Sequence, residues 1–515
     1  MTAPLAIIIY AFLATILSSI LLALAYKLWW APLHIQHKLG SQGIKGPSYK
    51  FLHGSTKELM SIKKMQGSQK PVDLSSHDIF PAILPHFYLW MKLYGNNFLH
   101  WIGTQPHIVV TEPDLIKEIL INKEGFYPKT KIRSFMKKLF GDGIVITEGD
   151  KWFKLRKLAN HAFHGDCLKD MVPAMIASVE AMLEKWRSYD GKEIEVCSDF
   201  KVLTSEVISR TAFGSSYVEG RKIFEMLSNL YVLISRNMHT VRFFGIGKFI
   251  RTQDDIEADR VEKLIHDSIM ELVNKRRDEV KTGRAQNFGN DFLGSLLKSH
   301  DDMGLESPIS AAEIIDECKT FYFAGQETTY NLLSWSVLLL AIHTDWQEKA
   351  RNEVLELFGR KKPNSEGLAR LKIVNMIIYE TLRLYSPVTN ITRRTNTKVK
   401  LGKYEIPANV NLSIPPLALH RNPEIWGQDA HLFRPERFSE GLAKATNGNA
   451  IAFLGFGFGP RICVGMNFAS NEAKIALAMI LQRYEFTLSG DYVHSPDIFL
   501  TTQPKHGVKI LLQPL

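Results

Sequence analysis

Residues 5–26, LAIIIYAFLATILSSILLALAY, carry no charge. A helix rising about 1.5 Å per residue over that run is about 30 Å long, the hydrocarbon thickness of a bilayer. Lys27, Trp29 and Trp30 follow as interfacial residues, and Lys38 and Lys45 keep the positive charge on the C-terminal side. This predicts a single-pass membrane anchor over 1–30 with the rest of the chain facing the cytosol. The run exceeds the roughly 7–15 apolar residues of a signal peptide and no basic stretch precedes it, so a retained anchor is expected. Gly40, Gly43, Gly46 and Pro47 then predict a stiff Gly/Pro linker over 31–50. From 51 to 515 the pattern shows no repeat, no low-complexity tract and no second linker, which predicts one large domain. Apolar residues around the Gly103–Pro106 turn predict a strand pair, Phe98–Gly103 and His107–Thr111. Lys403–Ser413 reads as short strands. Helical periods prevail elsewhere. Ser310 and Glu313 form an S-x-x-E capping box that opens a long apolar helix through about Ile342. Residues 374–385 and 463–482 also read as helices. The expected fold is mainly α with a minor β portion behind an N-terminal transmembrane helix.

Composition narrows the function. The 515 residues are 45% hydrophobic and 23% charged, which excludes a disordered or fibrous chain. The four cysteines, Cys167, Cys197, Cys318 and Cys463, form no CxxC pair, which argues against a zinc ribbon and a disulfide framework. The net charge of +10 suits an anionic membrane surface or an acidic protein partner better than nucleic acid, because no basic block is interleaved with aromatics. No second run is long enough to span, which argues against a transporter.

The chemistry concentrates at FGFGPRICVG, residues 456–465. It holds Phe456, Gly459, Arg461, Cys463 and Gly465 in the order F-x-x-G-x-R-x-C-x-G. A lone thiolate can be the axial ligand of haem iron, where its electron donation favours O–O cleavage. Glycines let backbone approach a flat macrocycle. Cys463 stands just before an apolar helix whose N-terminal dipole helps keep sulfur ionised. The other three cysteines read as inert thiols.

With this motif the chain resembles the cytochromes P450, haem-thiolate monooxygenases, over essentially everything after the anchor. ETLRLYSP holds Glu380 and Arg383 as E-x-x-R, and RPERF supplies Arg437; the resemblance implies a Glu–Arg–Arg network that fixes the fold behind the haem-ligand loop. AGQETT, residues 324–329, lies in the long helix. Ala324 and Gly325 would leave room for O₂ and haem, Thr328 would organise the oxygen species and water, and Glu327 would relay protons. WFKLR matches W-x-x-x-R, so Trp152 and Arg156 would bind haem propionates, joined by Arg461 and by Arg393, with Arg394 able to exchange roles with Arg393.

The resemblance implies the cytochrome P450 fold, haem b held by Cys463, electrons from NADPH through NADPH–cytochrome P450 reductase, an endoplasmic reticulum location, and hydroxylation of a lipophilic molecule by haem-thiolate ferryl chemistry. Lys137, Lys138, Lys151, Lys154 and Lys157 would offer the reductase a basic face. GIKGPSYKFLHG together with AGQETT is similar to the plant microsomal clan numbered 72, which implies a terpenoid or steroid-like substrate. A phytohormone (gibberellin, brassinosteroid, cytokinin), a fatty acid or a xenobiotic such as a herbicide is the alternative. Pocket residues would fall near Phe126–Phe140, Phe321 with Phe323, Val388–Ile391, and Thr501–Gln503, with Asn390 as a polar handle. A non-oxygenating haem isomerase or dehydratase, which would turn over without NADPH, and a non-catalytic haem carrier are the competing classes.

Overall fold

The computed structural model describes residues 3–67, 72–132, 134–215, 217–237, 251–302 and 308–515. They gather into two compact units: Met1–Gln69, Leu84–Thr130 and Asn390–Pro415 in the first, and Lys70–Ile83, Lys131–Thr389 and Pro416–Leu515 in the second. The chain leaves the first unit at Thr130 and returns to it at Asn390.

In the first unit the helix Ala3–Ala25 continues through a π-helical turn, Tyr26–Trp30, into the helix Ala31–Gly40. None of its apolar window is buried, which fits a membrane anchor. The first half of the expected 31–50 linker is therefore helix, since its glycines begin only at Gly40. The chain beyond folds back on this helix. The Tyr49 hydroxyl donates to the Leu28 carbonyl at 2.7 Å, the Tyr49 N–H donates to Gln36 Oε1 at 2.7 Å, and the Phe51 ring lies 5.4 Å from that of Trp29. A hairpin pairs Phe98–Ile102 with Gln105–Val109, with Ile102 opposite Gln105. Its turn is tighter than the expected Gly103–Pro106 because Gly103 adopts a φ of 60°, open to glycine without steric cost. Gln105–Val109 runs parallel to Asn411–Ile414, which pairs antiparallel with Ile391–Arg394, completing a mixed four-stranded sheet.

The second unit is built on the helix Ala311–Ile342. Its capping box is closed: Ser310 Oγ accepts from the Glu313 N–H at 3.2 Å, and Glu313 Oε2 accepts from the Ser310 N–H at 2.8 Å. The helix is buried on nearly every side because other helices surround it. Phe321 stacks on Phe163, 5.1 Å between centroids, and Trp335, on the same helix, stacks on Tyr385 at 4.3 Å. The predicted helices appear as Ile373–Leu384 and Met466–Arg483, the latter starting three residues after Cys463. Glu193–Glu195, Lys509–Pro514 and Tyr484–Leu488 form a small antiparallel sheet, and Pro496–Ile498 pairs with Thr502–Pro504. The fold is mainly α with a minor β portion.

Candidate active site

Buried Leu454 leads into an irregular loop that ends where the Met466–Arg483 helix begins. The Cys463 N–H donates to the Phe456 carbonyl at 2.9 Å, which closes the loop. Gly457 and Gly459 hold φ of 77° and 73°, values that other residues rarely adopt. A Cβ placed on Gly457 or Gly465 would meet nothing within 4 Å, so both face open space. Cys463 is itself exposed, yet enough protein surrounds it to push its thiol pKa upward, against the Gly465 N–H and the Arg156 charge.

Two guanidiniums flank this loop. Arg156, on the helix Gly149–Ala162, donates through Nη1 to the Ile462 carbonyl at 2.6 Å and through Nε to Asn160 Oδ1 at 3.0 Å. The Arg461 guanidinium lies over the Trp152 ring, 4.1 Å from its centroid. Its Nη1 is 3.5 Å from the Ile144 carbonyl. Arg393 belongs to the first unit, where it is buried on the Ile391–Arg394 strand and donates to the Thr392 carbonyl at 2.9 Å. Arg394, beside it, donates to Asn409 Oδ1 at 3.2 Å.

Between Glu317 and Ala341 the long helix is buried except at Ala324, Gly325 and Thr328. Ala324 and Thr328 share one face, one helical turn apart, and that face is partly open, with Gly325 half-buried beside it. Thr328 Oγ1 donates back to the Ala324 carbonyl at 2.8 Å. Gly325 serves packing as well: a Cβ there would come within 2.8 Å of the Ile208 side chain, so its absence lets the Val196–Ala212 helix approach closely. Glu327, the residue before Thr328, is held by other side chains. It is buried, and its Oε1 accepts from Thr501 Oγ1 at 2.8 Å and from the Tyr231 hydroxyl at 3.2 Å. Burial raises its pKa, opposed by Lys201 and by these hydroxyls.

Glu380 and Arg383 make a bidentate pair at 2.7 Å for both bonds, wholly out of solvent. Arg383 also donates to the carbonyls of His420, Ala430 and Leu432. Arg437 Nε lies 3.7 Å from Glu380 Oε1, while its Nη groups donate to the Trp426 and Asp429 carbonyls. The nearer donor to that carboxylate is the Arg434 N–H, at 2.8 Å. Sequence reasoning missed His420. Its Nε2 accepts from the Leu454 N–H at 2.9 Å, so its Nδ1 carries the proton and donates to the Arg383 carbonyl at 3.0 Å. The imidazole is neutral, held to a pKa of about 3 by burial and by Arg383 and Arg421. Nothing local in the sequence marks His420; only the fold brings it between the Glu–Arg pair and the cysteine loop.

Other expected groups are partly regrouped. Of the five lysines of the basic face, Lys137 pairs with Asp142, Lys138 with Asp259 and Glu262, and Lys151 with Asp142 and Glu313. Phe321 lies against Phe163 and Phe292 in the core, whereas Phe323 contacts Phe140 and Tyr231, so the two face different ways. Phe126 and Asn390 belong to the first unit, while Phe323, Val388 and Thr501 belong to the second. Asn390 Oδ1 is buried without a hydrogen-bond partner among the described residues. Burial raises the thiol pKa of Cys197 and Cys318, as inert thiols require.

A mainly helical body with an exposed cysteine in a glycine-rich loop, flanked by guanidiniums, and a long buried helix interrupted by a half-buried Ala-Gly-x-x-Thr patch has the chemistry of a haem-thiolate enzyme. The family model of cytochrome P450 matches residues 83–510, and the chain belongs to that family, an oxygenating class of oxidoreductases. It is 55% identical over 489 residues to cytochrome P450 CYP749A22 of Panax ginseng, covering 95% of this chain and 93% of that one. It is 42% identical over 500 residues to an 11-oxo-beta-amyrin 30-oxidase of Glycyrrhiza uralensis, covering 95% and 94%. It is 40% identical over 514 residues to cytochrome P450 CYP72A616 of Paris polyphylla, covering 98% of each. The family implies haem, and the residues present fit one: an accessible sulfur, open glycine backbone beside it, and guanidiniums next to the loop.

Proposed function

We propose that the protein is an NADPH- and O₂-dependent monooxygenase that hydroxylates a triterpenoid or related terpenoid skeleton. The observation that carries the substrate class is the pair of relatives named 11-oxo-beta-amyrin 30-oxidase, from Glycyrrhiza uralensis and Medicago truncatula, 42% and 41% identical over nearly the full length. Cys463 would hold the haem iron, with Arg156, Arg461 and Trp152 at the propionates and Phe456, Gly459, Gly465, Ala324 and Gly325 lining the ring. When bound, the haem supplies O₂ activation and transfer of one oxygen atom to the substrate. The chain's own residues position the substrate, exclude water and move protons. Thr328, on the open face, holds a hydroxyl where water can be ordered. Glu327 exchanges protons with solvent. Glu380, Arg383 and Arg437 keep the loop in place. The apolar helix anchors the enzyme in the endoplasmic reticulum membrane with its catalytic body in the cytosol. NADPH–cytochrome P450 reductase docks on the basic face of Lys137, Lys138, Lys151, Lys154 and Lys157.

Microsomes containing the full chain and the reductase, fed beta-amyrin, 11-oxo-beta-amyrin, a gibberellin, a brassinosteroid, a cytokinin, a fatty acid and a herbicide, test this. Hydroxylated triterpenoid formed only with NADPH is the expected result. Turnover without NADPH would identify an isomerase or dehydratase, and products from the hormone, fatty acid or herbicide arms alone would overturn the triterpenoid assignment.

A further inference from the structure

Glu327 is buried, charged groups around it are few, and it is held by hydroxyls rather than by a guanidinium. The hydrogen directions can be worked out. Thr501 Oγ1 accepts from Asn331 Nδ2 at 3.1 Å, which leaves its own proton for Glu327 Oε1 at 2.8 Å. The Tyr231 hydroxyl accepts from the Leu500 N–H at 3.2 Å, which leaves its proton for the same Oε1, also at 3.2 Å. Tyr330 differs: its hydroxyl is 2.8 Å from Gln503 Oε1 and 3.4 Å from Glu327 Oε1, so it donates to the glutamine. Two donors are thus committed to one oxygen of the carboxyl. They come from distant parts of the chain, the Tyr217–Asn237 helix and the turn before the Thr502–Pro504 strand.

We propose that Tyr231 and Thr501 are positioning residues for proton delivery: by saturating Oε1 of Glu327 they make Oε2 the oxygen that takes a proton from solvent and releases it toward water on the open face at Thr328. This rests on the relay role of Glu327 proposed above. In each cycle the Oε2–H bond breaks as a water on that face accepts the proton, and a solvent proton restores it. No other reactant is consumed. The donors also make the proton easier to release. Burial holds the Glu327 pKa up, and Lys201, Thr501, Tyr231 and Tyr330 pull it down. The titratable groups facing it are Lys201 from the Val196–Ala212 helix, Tyr231, and Tyr330 from its own helix; Thr501, Gln503 and Asn331 do not titrate.

The test is infrared titration of the protonated-carboxyl band in the full-length, haem-loaded enzyme, paired with the solvent isotope effect on NADPH consumption. Glu327→Gln identifies the band by removing it. Tyr231→Phe and Thr501→Val, both close to isosteric, should each raise the midpoint of that band by about one pH unit, a tenfold change in proton affinity. Both should enlarge the isotope effect. Thr501→Ser keeps the hydroxyl and should titrate like the parent. If Glu327→Gln removes the band but Tyr231→Phe and Thr501→Val leave its midpoint in place, the positioning role is overturned while the relay stands. If Glu327→Gln leaves the isotope effect unchanged, the relay itself fails, and the positioning role with it.

Discussion

The guanidinium of Arg156 donates to the carbonyl of Ile462 at 2.6 Å, one residue before Cys463. That bond, with the Arg461 guanidinium over the Trp152 ring, ties the Gly149–Ala162 helix to the loop that presents the sulfur. A hydrogen bond from a charged donor is worth about 1.5–3 kcal/mol. Arg156→Leu should cut the haem-bound fraction severalfold, read from the carbon monoxide difference spectrum of purified protein. Arg156→Lys should recover only part of it, because an ammonium is a point charge without the guanidinium fork. Full haem content in Arg156→Leu would remove the residue from the site.

Glu380 and Arg383 are both fully buried, so removing one charge strands the other. Glu380→Gln should destabilise the protein by about 3–5 kcal/mol in denaturant unfolding. A loss below about 1 kcal/mol would place the pair among solvated helix-surface pairs instead.

Acid should destabilise through buried imidazoles. His420 and His77 both have folded pKa values of about 3, lowered chiefly by burial and further by neighbouring positive groups. His77 donates or accepts at both ring nitrogens, 3.0 Å from the Tyr385 hydroxyl and 3.0 Å from His343 Nε2. A depressed value means that the unfolded chain binds the proton first. The stability is present above an unfolded pKa of about 6.5 and is lost as the pH falls toward 3, at about 1.4 kcal/mol per pH unit for each group. Because buried Glu317 changes stability in the opposite sense over this range, the check is a difference: between about pH 6 and pH 5 His420→Asn should lose unfolding free energy less steeply than the parent, by about 1.4 kcal/mol per pH unit. An unchanged slope would refute the assignment.

Glu317 has the opposite sign. It is buried, its Oε1 accepts from the Ile144 N–H at 2.5 Å, and Oε2 is buried without a partner among the described residues. Burial lifts its pKa to about 8, and Asp316 and Glu313 add to this, against the Ile144 N–H and Lys151. Ionising it in the folded protein costs energy, so stability is lost as the pH rises from about 4.5 toward 8. Glu317→Gln keeps an acceptor for Ile144 and should make the protein more stable at pH 8 than the parent, by thermal unfolding. A lower melting temperature at that pH would contradict this.

Gly325→Ala would set a methyl 2.8 Å from the Ile208 side chain. The gain in helix propensity, about 1 kcal/mol, is outweighed by overpacking of about 1–3 kcal/mol. Pairing it with Ile208→Ala should recover part of the loss, and a double-mutant cycle that shows no coupling would mean the two helices do not touch there.

Local signals carried much of this in the sequence. The uncharged run before Lys27, the Ser310–Glu313 box and the spacing around Cys463 each depend on residues close in the chain, and each marks an observed element or loop. Contacts between distant residues were not legible. No pattern announces that His420 reaches Leu454, that Thr501 reaches Glu327, or that Phe321 faces the core while Phe323 turns away. The linker failed for a related reason: glycines after residue 40 masked a helix that continues up to them.

Tyr49 reaching Leu28 across the start of the body has a practical meaning for anyone preparing a soluble form. Trimming the first thirty residues removes the acceptor of that hydroxyl and the indole beneath Phe51, so a shortened version should begin upstream of Leu28. The greasy leader doubles as the first brace of the fold it tethers.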